Sequence, residues 1–244
     1  MNEILKEEGV HCYKKEKVVF SSDKQKENQR LRSRRLYREL LSLGSPDVIM
    51  DDESYFCLRN DSIPCNSHYY ASAKSDAPES LRWRPTKKFE EKMLVWIAIS
   101  PKGISKPFFQ RSGLAVNKEI YQQKCIIQRL LPFINDYHAD RNILFWPDLA
   151  SSHYASTTLQ CFEDNDIPFV EKELNPPAVP NLRPIENFWG ILKQEVYKNG
   201  WHANNLEQLK SRIRYILTKT DKDTVCIMMK NIKSDIRKFT NNCV

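Results

Sequence analysis

The sequence predicts an α/β protein with a mixed β-sheet and helices on both faces. Two observations indicate this class: short apolar runs typical of buried strands, and segments of helical periodicity that alternate with them in the second half of the chain. With 244 residues, 41% of them hydrophobic and 28% charged, the chain can form one large domain with its own core. This composition also argues against global disorder.

Apolar runs of strand length predict the sheet, and they lie at 48–50, 55–58, 93–99, 104–109, 143–146 and 167–170. The first two runs are separated by acidic residues and are therefore predicted as separate strands. The run at 93–99 is almost continuously apolar, as in a strand covered on both faces. A Pro-Lys-Gly turn after it predicts a hairpin.

Helical periodicity, caps and prolines predict the helices, which lie at about 22–43, 117–134, 152–164, 184–196, 206–217 and 224–239. The first of these helices is basic and carries only a thin apolar stripe. It can be a solvated helix or an arm that contacts phosphates, and the sequence of the helix alone does not decide between the two. Pro184 opens the fourth helix, at a position where proline is favoured.

Charge is unevenly placed along the chain. Residues 1–46 carry 11 Lys and Arg against 7 Asp and Glu, and residues 190–244 carry 11 against 5, whereas residues 47–189 carry 16 against 19. Basic ends suit a polyanion and an acidic centre suits divalent cations.

Cysteine usage and hydropathy narrow the class of protein. The seven cysteines include no CxxC pair, which argues against a structural zinc site or a disulfide framework. No apolar run is long enough for a bilayer span, and the N-terminus lacks the features of a secretory signal. We therefore expect a soluble intracellular protein that does not bind membranes.

Three carboxylates lie at strand ends or helix starts, the positions where open α/β sheets usually carry their functional residues. Asp52 closes the first strand, Asp148 closes the strand at 143–146, and Glu186 lies in the first turn of the helix that follows a proline-rich loop. Converging carboxylates repel one another unless cations neutralise them, and hard oxygen ligands suit Mg²⁺ or Mn²⁺. Two such ions can promote in-line phosphoryl transfer.

Each of these acids also has an ordinary structural interpretation. An aspartate after a strand is commonly a turn residue, and a glutamate in a first helical turn is favoured by the helix dipole. Asp51, Asp52 and Glu53 compete for one role, and position alone does not choose among them. His153 is more simply a helix-start histidine than a metal ligand.

Three local sequences resemble the catalytic domain of mariner-like transposases, members of the DDE group with an RNase H-like fold. They are residues 52–56 (DESYF), 145–155 (FWPDLASSHYA) and 181–190 (NLRPIENFWG). The third is the most specific, and the 37 residues between Asp148 and Glu186 agree with the spacing in that family. The resemblance covers about residues 5–217 and implies a five-stranded mixed sheet flanked by helices, over 47–244.

The resemblance implies that Asp52, Asp148 and Glu186 are catalytic and hold Mg²⁺ or Mn²⁺, with two ions expected. Asp52 is preferred over Asp51 because the family's first aspartate directly precedes a glutamate. The implied activity is metal-dependent cleavage and strand transfer of double-stranded DNA at transposon ends. The family acts as a homodimer, and a DNA substrate implies a nuclear location.

The resemblance also implies DNA contacts. Residues 59–90 match the position of the family's clamp loop, and Lys193 lies on the same helix face as Glu186. The basic residues expected to contact phosphate are Lys14, Lys15, Lys17, Arg32, Arg34, Arg35, Arg82, Arg84 and Lys193. Trp83, between two of these arginines, can stack on bases or simply pin its loop.

One departure from the family concerns the N-terminus. Family members carry two helix-turn-helix units before the catalytic domain, whereas residues 1–46 match only the end of that region and a basic interdomain linker. Sequence-specific excision by this chain alone is therefore not expected. The alternative function is a non-catalytic or domesticated DNA-binding remnant, and a general nuclease with the same fold is a third interpretation.

Overall fold

The computed structural model describes residues 22–59, 71–73, 75–82, 91–111, 113 and 116–242. These residues form the mixed five-stranded sheet that the sequence predicts, with helices on both of its faces. The strands are β1 (Asp47–Cys57), β2 (Lys92–Ser100), β3 (Gly103–Ile104), β4 (Phe108–Arg111) and β5 (Ile143–Trp146).

β1 and β2 form the centre of the sheet. β1 pairs antiparallel with β2, from Met50 opposite Ile99 to Cys57 opposite Lys92, and pairs parallel with β5 on its other edge. β3 and β4 pair one after the other with the far edge of β2. The carboxyl end of β5 therefore lies beside the middle of β1.

The prediction of two separate strands at 48–50 and 55–58 was wrong, because β1 runs unbroken through the acidic residues between them. Pairing with β2 and the hydrogen bonds that the buried Asp51 accepts stabilise the strand across residues that do not form a strand by local preference alone. The predicted strand at 167–170 is also reduced, to a single bridge between Phe169 and Phe145.

The predicted helices occur in the predicted order, and the structure adds a short helix, α2, that the sequence did not predict. Their bounds are α1 (Asp23–Ser42), α2 (Glu79–Arg82), α3 (Lys118–Ile120, Tyr121–Leu130 and Leu131–Tyr137 in succession), α4 (Ser156–Asp164), α5 (Pro184–Val196), α6 (Leu206–Lys219), α7 (Lys222–Lys230) and α8 (Ile232–Asn242). The middle segment of α3 is a π-helix, and the predicted last helix is divided at Asn231. None of the helices in the described ranges is both long and apolar enough to cross a bilayer.

Two hydrophobic cores cover the two faces of the sheet. One contains Met50, Ile97 and Trp146 with the apolar faces of α1, α5, α6, α7 and α8. The other contains Ile49 and Phe145 with α3 and α4. Alternate residues of β1 therefore face different cores, as strand geometry requires, and this alternation separates the side chains of Asp51 and Asp52.

The basic helix α1 is packed against the domain rather than solvated on all sides. Its N-cap Ser22 and Gln25 form a reciprocal capping box. Leu36 and Leu40 are completely buried in the first core, and the helix lies along α8. The predicted boundary between a linker and the catalytic domain at residues 46 and 47 stays a prediction.

A buried histidine lies beside the first residue of β1, away from the group of Asp52, Glu53 and Asp148. His138 follows α3, and its Nε2 lies 2.8 Å from the Ser100 hydroxyl while Nδ1 lies 3.4 Å from an Asp47 oxygen. Lys102 pairs with Asp47 and Asp140 beside it. Burial, reinforced by the charge of Lys102, lowers the pKa of His138 although the two carboxylates oppose the shift.

Candidate active site

Strand register brings Asp52 and Asp148 together. Met50 of β1 is paired with Trp146 of β5, and each aspartate lies two residues beyond its member of that pair. Because the strands are parallel, Asp148 leaves the carboxyl end of β5 beside the part of β1 that carries Asp52. Asp148 therefore follows its strand as predicted, whereas Asp52 lies within the continuous β1 and does not close a strand.

Three carboxylates form a compact group at this end of the sheet. Asp52, Glu53 and Asp148 each offer an oxygen, and these oxygens all lie within 4.8 Å of one another. Glu53 was not among the predicted ligands, although its place directly after Asp52 was a visible signal. Three carboxylates so close together need protons or a cation between them, and the all-oxygen set fits Mg²⁺ or Mn²⁺.

Glu186 lies near this group without being part of it. It is exposed in the first turn of α5, and its charge raises the pKa of Asp52. The same helix holds Asp52 directly, since Trp189 donates from Nε1 to Asp52 Oδ2 at 2.9 Å. Trp189, predicted only as a core residue, is thus both a core residue and a partner of Asp52.

Burial changes the protonation of the group. Burial first, and then the charge of Glu186, raises the pKa of Asp52 to about 7. Burial first, and then the charge of Asp51, raises the pKa of Glu53 to about 8. In the metal-free protein these carboxyls therefore hold protons near neutral pH, and a divalent cation would have to displace them.

Asp148 behaves differently because His153 accompanies it. Burial alone would raise the pKa of Asp148, but the contact with His153 (2.6 Å from Nδ1 to Oδ1), the Ala150 amide and the charge of Arg183 together lower it. The pKa of His153 is raised to about 9 against the effect of burial, by its contact with Asp148 and by the charges of the neighbouring carboxylates. His153 stacks on Tyr121 at 3.9 Å, and the Ala150 amide donates to Asp148 Oδ1.

His153 lies in a turn before α4, not in the helix that the sequence predicted from residue 152. Its contact with Asp148 also explains why this histidine is buried, with only 1% of its side chain exposed. It therefore orients a candidate ligand and keeps that ligand ionised.

Asp51 is completely buried on the face of β1 opposite to the side chain of Asp52. Its Oδ2 accepts hydrogen bonds from Trp96 Nε1 at 3.0 Å and from the Tyr121 hydroxyl at 2.6 Å. Burial raises its pKa, although the charge of His153 and the bond from Tyr121 oppose this shift. The structure thus distinguishes the neighbours that the sequence left in competition: Asp51 is an internal hydrogen-bond partner, whereas carboxylate oxygens of Asp52 and Glu53 approach Asp148.

Two buried polar residues fix the segment that carries Asp148. Asn175, 2% exposed, accepts from Trp146 Nε1 and donates to the Pro147 carbonyl, both at 2.8 Å. Arg183, 8% exposed, donates to the carbonyls of Asp51 at 2.9 Å and Pro147 at 3.3 Å. Arg183 therefore ties β1 to the end of β5. Sequence reasoning missed both residues, although Arg183 lies within the most specific motif.

The three α1 arginines predicted to contact DNA differ in their surroundings. Arg34 and Arg35 are exposed. Arg32 is half-buried, and its guanidinium donates to the carbonyls of Lys172 at 2.9 Å and Asn175 at 3.1 Å. Its observed contacts therefore attach α1 to the loop that supports Asp148.

The remaining predicted phosphate contacts are only partly described. Arg82 ends α2 and is half-buried. Lys193 lies on α5 with Nζ 5.4 Å from the Phe56 ring centre, and burial lowers its pKa although Asp52 and Glu186 oppose the shift. The others, together with Trp83, lie outside the described residues: Lys14, Lys15, Lys17 and Arg84.

The fold is similar to that of several solved structures of Mos1 mariner transposase. The Mos1 mariner paired-end complex with Mn matches at a TM-score of 0.78 and 16% identity, over 98% of this chain and 69% of that one. The Mos1 strand transfer complex matches at 0.76 and 17%, over 98% and 68%. The catalytic domain of Mos1 mariner transposase matches at 0.67 and 14%, over 93% and 97%.

At this level of identity the comparison establishes the fold, and the RNase H-like architecture predicted from the sequence is confirmed. No protein-family model matches the sequence. No curated protein matches it either.

Proposed function

We propose that this chain is the catalytic domain of a DDE-type DNA transposase, which cleaves and joins DNA strands at transposon ends. One observation carries the proposal: the carboxylates of Asp52, on β1, and Asp148, directly after the parallel neighbour β5, lie close together in a fold that this chain has in common with the catalytic domain of Mos1 transposase. The mariner-like motifs at all three acidic positions support the same assignment.

The carboxylates of Asp52 and Asp148 would hold a divalent cation, Mg²⁺ or Mn²⁺, and Glu186 would complete the ligand set of a two-ion centre. Similar solved structures carry Mg or Mn in their descriptions, which supports this choice of metal. Glu53 is a further candidate ligand, because its oxygen lies within the same group. When bound, the cations supply Lewis-acid activation of a water or a 3′-hydroxyl and stabilise the leaving oxygen.

The chain's own residues prepare this centre. His153 keeps Asp148 ionised, Trp189 orients Asp52, and Arg183 holds the two strand ends together through their carbonyls. Each contact restricts the direction from which a carboxylate oxygen can reach a cation. Rigid ligands of this kind are what metal-dependent phosphoryl transfer requires, because positioning supplies much of the catalysis.

DNA would be the substrate and partner. Arg34 and Arg35 of α1, Arg82 and Lys193 are candidate phosphate contacts, and the basic residues outside the described ranges would extend them. Similar solved structures are described as paired-end and strand transfer complexes, which supports two DNA ends and a homodimer. A DNA substrate also implies a nuclear location.

A non-catalytic DNA-binding remnant is the alternative function, and the position of Glu186 favours it. The exposed Glu186 is not in the compact acidic group formed by the described residues. If Glu186 did not approach Asp52 when a cation binds, the centre would lack its third predicted ligand.

Nicking of supercoiled plasmid in Mg²⁺ or Mn²⁺ separates the two functions. The transposase proposal predicts metal-dependent nicking that falls at least about 100-fold in Asp148→Asn. The exposed Asp164 of α4 provides a matched control, because Asp164→Asn removes the same charge away from the site. Equal nicking by Asp148→Asn and the control would overturn the site assignment, whereas DNA binding without nicking by the wild type would favour the remnant.

A further inference from the structure

A cavity of about 570 Å³ lies at the sheet edge formed by β3 and β4. Its walls come from the turn at 103–107, the middle and end of α3, the second half of α6 and the start of α7. β2 separates this edge from β1 and β5, and none of the acidic residues of the candidate active site lines the cavity. It is therefore a separate site.

Among the described residues, three cationic side chains and no carboxylate line the cavity. They are Lys106, Arg129 and Arg214. Within the described part of the chain, none of the three forms an ion pair, in contrast to Lys102 nearby, which pairs with two aspartates. Cations gathered in a concave site without acidic neighbours produce a positive potential that attracts anions.

The two guanidinium groups are held in place by the fold. Arg129 donates from Nε to the Pro107 carbonyl at 3.1 Å and lies 5.0 Å from the Phe108 ring centre. Arg214 lies 5.1 Å from the centre of the Phe109 ring. Successive residues of β4 thus hold one arginine from α3 and one from α6, and pre-positioned arginines bind planar or tetrahedral anions with little loss of entropy.

The positive charges of Arg129 and Arg214 also repel each other. Burial is the main cause of the lowered pKa of Arg129, and the charge of Arg214 adds to it. An anion between them would relieve this repulsion. The rest of the lining combines hydroxyl groups, including that of Thr218, with the apolar side chains of Ile104 and Leu217. Such a wall can donate to anionic oxygens and also contact an uncharged part of the ligand.

We propose that this cavity binds a phosphate group, through Lys106, Arg129 and Arg214. The ligand is either a phosphate of the DNA backbone, which reaches the cavity through its open side, or the phosphate of a free nucleotide. Both sources present the same tetrahedral anion, and arginine forks match its oxygens. The site needs no metal and no residue of the acidic group.

The test uses the full chain in buffer that contains EDTA, so that divalent cations play no part. Calorimetry would measure binding of inorganic pyrophosphate and of deoxyadenosine 5′-monophosphate, and fluorescence anisotropy would measure binding of a short labelled duplex. Arg214→Gln removes one cavity charge at an exposed position, and Lys219→Gln is its matched control on the same helix outside the cavity.

We expect Arg214→Gln to weaken at least one probe by about tenfold, the loss typical of a charge-assisted contact. Lys219→Gln should change every affinity by less than about twofold. An effect on the duplex alone identifies backbone phosphate as the ligand, and an effect on the small anions identifies a free nucleotide. Because these affinities are measured in EDTA and do not depend on metal-dependent nicking, failure of this proposal is distinguishable from failure of the proposed function.

Two results would overturn the proposal. One is the absence of binding of all three probes to the wild type. The other is an equal effect of Arg214→Gln and Lys219→Gln, since that would mean diffuse attraction by the basic surface rather than a site. A second cavity variant, Lys106→Gln, at an exposed residue of the opposite wall, must reproduce the Arg214 result for the proposal to stand.

Discussion

Asn175 offers the sharpest test of how the fold supports the candidate active site. Asn175→Ala would remove the acceptor of Trp146 Nε1 and the donor to the Pro147 carbonyl, together with a bond to the Tyr154 hydroxyl. Pro147 keeps a bond from Arg183, but the buried indole N–H has no other partner among the residues that the structure describes. A lost hydrogen bond costs about 1 kcal/mol and an unsatisfied buried donor about 1–3 kcal/mol, so we expect a loss of about 2–4 kcal/mol.

Thermal unfolding followed by circular dichroism measures this loss. A domain of this size changes its Tm by roughly 2–4 °C per kcal/mol, so Asn175→Ala should unfold roughly 5–15 °C below the wild type. Plasmid nicking at a temperature where the variant is folded should fall by about tenfold or more, because Asp148 follows the released segment. Asn135→Ala, at an exposed asparagine, is the matched control and should change the Tm by no more than about 2 °C. Equal Tm values for the two variants would refute the supporting role of Asn175.

Three further predictions concern neighbouring acids, a buried histidine and the basic helix. Asp51→Asn should keep metal-dependent nicking within about tenfold of wild type while Asp52→Asn loses at least about 100-fold, because only Asp52 faces the acidic group; equal losses in the plasmid assay would contradict this. The pKa of the His138 imidazole is lowered in the folded protein. As pH falls below about 6.5, the unfolded chain therefore takes up a proton that the folded protein does not. The stability that neutral His138 contributes is present above about pH 6.5 and is lost as pH falls. His138→Gln should therefore flatten the decline in free energy of unfolding between about pH 7 and pH 5, measured by urea denaturation, and an unchanged slope would be evidence against this account. Arg32→Gln should lower the Tm by a few degrees through its lost carbonyl contacts, whereas the exposed Arg34→Gln should leave the Tm unchanged but weaken duplex binding in anisotropy; the reverse pattern would assign the two arginines the opposite roles.

Local sequence patterns predict the fold class well because periodicity and turn residues are local properties. The runs at 93–99 and 143–146 became β2 and β5 with small changes of boundary. The break predicted inside β1 failed for a physical reason: acidic residues are unfavourable in an isolated buried strand, but here Trp96 and Tyr121, from other elements, both donate to Asp51 Oδ2. Such compensation depends on contacts distant in sequence.

One part of the candidate site could also be predicted from the local sequence, and another part could not. Asp148 could be predicted because it follows a recognisable strand in a class of fold that carries functional residues at strand ends, whereas Asp52 was predicted to close a strand and lies within β1. The supporting roles of Asn175 and Arg183 could not be predicted, because their partners lie 21 to 132 residues away along the chain. The contact of Glu53 with the acidic group likewise depends on how β1 and β5 are paired.

Direct measurement of Mn²⁺ binding tests the central claim, that Asp52 and Asp148 hold a divalent cation. Calorimetric titration should give saturable binding to the wild type that releases protons, since the carboxyls of the metal-free site hold them near neutral pH. Asp52→Asn and Asp148→Asn should each weaken binding by at least about tenfold, while Asp164→Asn should bind as the wild type does. Undiminished Mn²⁺ binding to both site variants would contradict the account.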